Sequence, residues 1–237
     1  KYLLFLENAF PYMDNYNYYK GMNGIIQELT GLLKTKNIGT DSDRALLLDF
    51  QATLETKPEK AIKLEKDALA QIENITADNA RLVSNLHANL DGLYRMNGHP
   101  DLAREHMEKS ISLLDQFNLL HINDSIPQIA NYAMFLTEQQ EPERGISELQ
   151  KLSGIIKEYH SDDCLDYAKV QETLGTIYLM TANLPQAKTH FKRAFKIYEK
   201  IWADEPEMIE AKYQEIQELY PQIGFCIGKN LSGLLTK

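Results

Sequence analysis

The chain has 237 residues, with 25 Lys and Arg against 34 Asp and Glu, and its formal net charge is −9. This acidic balance argues against direct nucleic-acid binding, because phosphate contacts need a basic face and none is evident in the sequence. No run of about 18 apolar residues is present, which argues against insertion into a membrane. With only 12 Gly and 8 Pro among many good helix formers, the composition predicts an all-α fold.

The ends and the cysteines indicate the setting of the chain. The first ten residues, KYLLFLENAF, lack an initiating Met and are too quickly polar for a secretory signal, so we expect a segment of a longer protein. Cys164 and Cys226 lie in different hairpins without metal-ligand spacing. That usage predicts a reduced, cytoplasmic protein.

Apolar residues spaced three and four apart, interrupted by turn residues, divide the chain into helix hairpins. The first repeat is degenerate. Its Tyr12, Tyr16, Tyr18 and Tyr19 are expected to cover the end of a core, and the alternative is that they form a ligand surface. We predict a single array made of a degenerate repeat at 1–41, repeats at 42–83, 84–125, 126–167 and 168–209, and terminal helices at 210–237.

The clearest hairpin lies between Asp166 and Lys200. Small residues are expected where its two helices cross, with large ones on either side. The first helix carries Leu174, Gly175 and Tyr178, and the second, after a turn at Asn183-Leu184-Pro185, carries Ala187, Phe191 and Ala194.

The same pattern recurs with a period of 42 residues. The place of Ala187 is taken in earlier copies by Gly145, Ala103 and Ala61, all of them small. Three positions depart from the pattern. Asp91 and Asp49 replace Gly175, and Glu65 replaces Phe191, where the adjacent Leu64 is expected to supply the apolar contact.

These residues resemble the tetratricopeptide repeat, whose Leu-Gly-Tyr, Ala, Phe, Ala pattern they match in order, although Gln171 replaces its leading Trp and Glu199 its closing Pro. The 42-residue period is longer than the common 34-residue form. Long-helix arrays of this kind resemble kinesin light chains, peptide-sensing regulators of Gram-positive bacteria and the sensor ends of STAND-type ATPases. The resemblance implies a right-handed α-α superhelix of about five hairpins plus terminal helices.

The search for catalytic chemistry gives negative results. The sequence has no Gly-rich phosphate loop, no GxSxG, no HExxH and no paired Cys motif. None of its six histidines lies four residues from another on one helix. We therefore expect a protein that is not an enzyme and that needs no cofactor and no metal.

The first helices of the repeats are expected to line a concave groove. Asn89 and Asn131 take equivalent places there, and an asparagine inside a helix needs a reason because it is a mediocre helix former. A primary amide can bond both polar groups of an extended peptide backbone, and the resemblance implies that use; alternatively the amides bond one another or water. Arg95 could hold a carboxylate or pair with Asp91. The candidate peptide-binding residues are Asn85, Asn89, Arg95, Met96, Asn131, Met134, Lys169, Thr173 and Thr176.

The sequence thus predicts a protein- or peptide-binding scaffold, the sensor or interaction part of a bacterial regulator, with its ligand in the concave groove. A different reading is an autoinhibitory module that packs on an ATPase or DNA-binding domain of the same parent chain. Neither reading involves direct contact with nucleic acid or membrane.

Overall fold

The computed structural model describes residues 19–36, 39–122 and 125–219, in which all regular structure is α-helical. The all-α prediction is confirmed. The start of the degenerate repeat with Tyr12, Tyr16 and Tyr18 lies outside the described residues, as do Cys226 and the end of the chain. The ten helices of the described part are α1 (Tyr19–Lys36), α2 (Asp41–Leu54), α3 (Pro58–Leu69), α4 (Ala80–Met96), α5 (Pro100–Gln116), α6 (Ser125–Glu138), α7 (Pro142–Tyr159), α8 (Leu165–Met180), α9 (Leu184–Ile201) and α10 (Pro206–Leu219).

The helix boundaries follow the 42-residue register of the sequence. The first helices of four hairpins end at Leu54, Met96, Glu138 and Met180, and the second helices begin at Pro58, Pro100, Pro142 and Leu184. Proline suits the first turn of a helix, because its missing N–H would have no partner there and its φ is already helical. Repeating local signals therefore place the hairpins.

A left-handed residue recurs in the same register in three of the turns. Gly98, Gln140 and Ala182 have φ values of 76°, 65° and 58°. An L-residue with a side chain pays about 1–2 kcal/mol in that conformation, whereas glycine adopts it freely.

We expect Gln140→Gly and Ala182→Gly each to raise the free energy of unfolding by about 1 kcal/mol, because glycine relieves the left-handed strain. Urea denaturation followed by circular dichroism would measure the change. Gly98→Ala is the matched reverse substitution and should lower stability by a similar amount. Equal stabilities for all four proteins would contradict the assignment.

The core contains the predicted small and large positions. Ala61, Ala103 and Ala187 are at most 2% exposed, and Met107, Leu149 and Phe191 are also buried. The expectation for Leu64 is wrong. Leu64 is only half-buried, while Glu65 itself occupies the core position with 1% of its surface exposed. Glu65 lies four residues after Ala61 and so faces the same neighbours.

The chain divides into two compact units, and the boundary along the sequence falls between Leu119 and Leu120. In the first unit, α2 packs on α3 and α4 on α5, with α1 against α2. In the second, α6 packs on α7 and α8 on α9, and α6 also contacts α8. Within the described residues, no helix is both long enough and apolar enough to cross a bilayer.

Candidate functional site

The second unit contains an open groove of about 500 Å³ between the first helices of its two hairpins and the last described helix. Ile126 and Val170 are almost fully buried and form an apolar floor. Polar and charged side chains stand around that floor, namely Asn131, Asp166, Lys169, Glu172, Thr173 and Lys212. The groove can therefore hold an apolar surface and bond polar groups at its rim.

Three of the candidate peptide-binding residues line this groove together. Asn131 on α6 is exposed, and its amide bonds to none of the described residues. Lys169 on α8 lies one turn from Thr173, whose hydroxyl donates to the Lys169 carbonyl at 3.0 Å. The Lys169 ammonium lies 3.9 Å from Asp166, and 58% of the Lys169 side chain is exposed to solvent, so this ion pair is weak. An amide and an ammonium thus remain open to a ligand.

An ion pair from the last helix closes one side of the groove. The Lys212 Nζ lies 3.0 Å from a Glu172 oxygen, and the Tyr198 hydroxyl donates to the other oxygen at 2.6 Å. Burial and the Glu172 carboxylate raise the pKa of Tyr198, which keeps it a hydrogen donor. Burial alone lowers the pKa of Lys212, but Glu172 and Glu215 outweigh this effect and raise it. This wall is charged and held in place.

Sequence reasoning missed Glu172 and Lys212. Glu172 follows Lys169 by three residues on α8, so the helical spacing could have placed it beside the candidates. Lys212 carries no such signal, because it belongs to a helix beyond the repeats. Among the candidates, Met134 is half-buried outside the groove lining, and Thr176 is only 8% exposed within the packed face of α8.

The other four candidates lie in the first unit, on α4. Asn85 is half-buried, and Met96 is 79% exposed. Arg95 forms a two-point ion pair with Asp91, from Nε to Oδ1 at 2.8 Å and from Nη2 to Oδ2 at 2.6 Å. The second of the two readings of Arg95 is the one observed.

Asn89 differs from Asn131 in its partners. Its Nδ2 donates to Asp49 Oδ1 at 2.8 Å and to Glu65 Oε1 at 3.2 Å. Burial raises the pKa of Asp49 and, more strongly, that of Glu65, where the neighbouring Asp49 charge adds to the effect. The two asparagines that looked equivalent in sequence are therefore an amide held between carboxyl groups and an amide open to solvent.

The second unit also has a basic surface, which the sequence analysis did not recognise. α9 carries five cationic residues and one acidic residue. Four lysines lie on it at intervals of four residues, and Lys200, the last of them, pairs with Asp163. The members of this row, with the adjacent arginine, are Lys188, Lys192, Arg193, Lys196 and Lys200. The net charge of −9 is thus unevenly distributed.

No group of three or more His, Cys, Asp or Glu side chains suited to a metal ion occurs within residues 19–36, 39–122 and 125–219. His87 and His106 lie 2.8 Å apart between their Nδ1 atoms, and the His106 ring stacks on the Tyr94 ring.

Comparison with known proteins identifies the repeat. Residues 125–200 match the sequence model of the tetratricopeptide repeat. No curated protein matches the chain significantly.

Two solved structures show the same fold. BtubC (BKLC) from P. vanneervenii is 19% identical, with a TM-score of 0.65 over 77% of this chain and 72% of that one. The TPR-like repeats of a putative kinesin light chain from Podosopora anserina are 12% identical, with a TM-score of 0.65 over 86% of this chain and 99% of that one. At such low identity the likeness concerns the fold alone.

Proposed function

Residues 125–200 are tetratricopeptide repeats, and from this premise we propose that the chain is a non-enzymatic scaffold that binds an extended peptide or protein segment in the groove of its second unit. The observation that carries the proposal is the exposed Asn131 amide, without a partner among the described residues, above the apolar floor of Ile126 and Val170.

The chemistry of the groove fits a peptide backbone. The Asn131 amide can donate to a backbone carbonyl and accept from a backbone N–H at once. Lys169 adds a cation for a carboxylate of the ligand, and the floor accepts an apolar side chain. Because each contact is worth little alone, affinity is spread over several residues and favours an extended segment that reaches all of them.

The wider setting is part of the same proposal. The resemblance of the long 42-residue repeats to sensor arrays supports a role as the interaction part of a larger bacterial regulatory protein. Cys164 forms no disulfide with any of the described residues, which fits the reducing cytoplasmic setting of this proposal.

Peptides selected from a random linear library against the whole chain would test the groove. We expect Asn131→Leu to weaken their binding about tenfold, because the peptide backbone loses its amide partners while its own polar groups are desolvated. Fluorescence anisotropy would measure the affinities. Methylating the peptide's backbone nitrogens one at a time should give a similar loss at one position.

Gln150→Leu provides the matched control, because Gln150 is an exposed amide of the same unit that lies outside the groove lining. Circular dichroism would establish that both variants stay helical. Equal weakening by both substitutions, or none by Asn131→Leu, would overturn the proposal. Selective binding of a separate domain of the parent chain, with no peptide selected, would instead favour the autoinhibitory module.

A further inference from the structure

The first unit contains a pair of carboxyl groups at places where the second unit has uncharged residues. Asp49 on α2 stands where the second unit has Ala133 and Gly175, and Glu65 on α3 stands where it has Leu149 and Phe191. The Asn89 amide on α4 bonds one oxygen of each. Three helices therefore bring two acids to one point.

Glu65 is not fully satisfied at this point. Its side chain is 1% exposed, and its Oε2 has no hydrogen-bond partner. No Lys or Arg of the described residues pairs with either acid. The nearby Lys66 ammonium instead lies over the Tyr94 ring, 5.4 Å from its centre. Two ionised carboxylates at this depth without a counter-charge would be costly, so burial and the Asp49 charge raise the pKa of Glu65 and keep its carboxyl group protonated.

The next repeat shows how the same place accepts a cation. Asp91, 42 residues after Asp49, is neutralised by the Arg95 guanidinium through two hydrogen bonds. The residue 42 positions before Arg95 is Thr53, which is exposed. Its hydroxyl donates to the backbone carbonyl of Asp49 on the same helix at 3.1 Å. The first copy of the arrangement therefore has the acid but lacks the guanidinium.

We propose that Asp49 and Glu65, with Asn89 at their entrance, form a subsite for an arginine side chain of a protein or peptide partner, whose guanidinium takes beside Asp49 the place that Arg95 takes beside Asp91. This subsite lies in the first unit and does not depend on the groove of the second. Asn89 is exposed, so its side chain can turn away and admit the ligand to Asp49 and then to Glu65.

The chemistry favours arginine over lysine. A guanidinium is planar and presents paired donors in a fixed fork, so that it can bond two carboxyl groups at once, and it is less strongly hydrated than an ammonium. Burial raises the pKa of Glu65, which keeps it protonated in the free protein at neutral pH. A bound guanidinium favours the ionised carboxylate, and the Glu65 proton is then released to solvent.

Two short peptides that differ in one group would test the subsite. The probes are acetyl-Gly-Gly-Arg-Gly-Gly-amide and the same peptide with citrulline, which keeps the shape of arginine but has no charge. We expect the arginine peptide, at millimolar concentration and pH 7.5, to shift the NMR signal of the Asn89 side-chain amide in the whole chain. The citrulline peptide should leave it in place.

Thr53→Arg should fill the subsite from within, abolish the response to the arginine peptide and raise the midpoint of thermal unfolding. Thr53→Gln, a long uncharged side chain at the same exposed position, should preserve the response. The assignment is overturned if the two peptides act alike, if neither acts, or if calcium chloride shifts the signal as much as the arginine peptide does. A response that survives in Thr53→Arg would also overturn it, whatever the fate of peptide binding at Asn131.

Discussion

Gly145→Ala is expected to destabilise the second unit by about 1–3 kcal/mol, the usual cost of forcing extra volume into a packed contact. A Cβ atom at Gly145 would lie 2.5 Å from the carbonyl oxygen of Ala133. The obstruction is backbone, so no side chain can turn aside to relieve it. The helices α6 and α7 would have to separate at this contact. The same contact holds the part of α6 that carries Asn131, two residues before Ala133.

Gly154→Ala on the same helix is the matched control. Gly154 is exposed, and nothing lies within 4 Å of an added Cβ. There the substitution should stabilise by about 0.5–1 kcal/mol, because alanine is the better helix former. Urea denaturation of both variants, followed at 222 nm, would give the two free energies. Stabilisation by both substitutions would contradict the close contact of α6 and α7.

Glu65→Met should stabilise the first unit at neutral pH by about 2–3 kcal/mol. A carboxyl group that stays protonated in the folded state lowers the free energy of unfolding by about 1.4 kcal/mol for each pH unit above its ordinary pKa. Methionine is the residue of the next repeat at the same place, Met107, which is 2% exposed. Burial raises the pKa of Glu65 above its ordinary value of 4.5. The folded state therefore holds the Glu65 proton more tightly than the unfolded state does.

The sign of the pH dependence follows from that raised pKa. The contribution of protonated Glu65 is fully present below pH 4.5 and is lost as the pH rises toward the folded-state pKa. We expect the stability difference between Glu65→Met and the parent protein to be small at pH 4 and to grow through pH 6 and 8. Denaturation by urea at these three values would measure it.

Glu59→Met, at an exposed position on the same helix, provides the control and should show no such growth. Parallel stability profiles for the parent protein and Glu65→Met would show that Glu65 ionises in the folded protein without penalty. The inference that burial raises the pKa of Glu65 would then be wrong. The arginine and citrulline peptides would still test the subsite at Asp49 separately.

The hairpins could be predicted from sequence because their signals are local and repeat. Proline at the start of a second helix, a turn before it, and a small residue three or four positions from a large one all act over one or two helical turns. The turn predicted to begin at Asn183 accordingly lies between the end of α8 at Met180 and the start of α9 at Leu184.

The candidate site could be predicted only in part. Helical spacing brought Lys169 and Thr173 together, since they share one face of α8. The same spacing placed Thr176 with them, although this residue is 8% exposed within the packed face of α8. Residues at the border of a packed helix face are exposed or buried according to which helices lie against them. The sequence of the helix itself does not contain that information.

By itself the sequence determined the helical class, the repeat period and the residues at which hairpins turn, because periodicity and backbone preference are properties of neighbouring residues. Only the tertiary structure distinguished Asn89 from Asn131. The partners of Asn89 are 40 and 24 residues away in the chain, and it is the packing of α2 and α3 on α4 that brings these carboxyl groups to its amide. Hydrogen bonding and charge at a buried point depend on everything packed around it, and so they were decided by the fold.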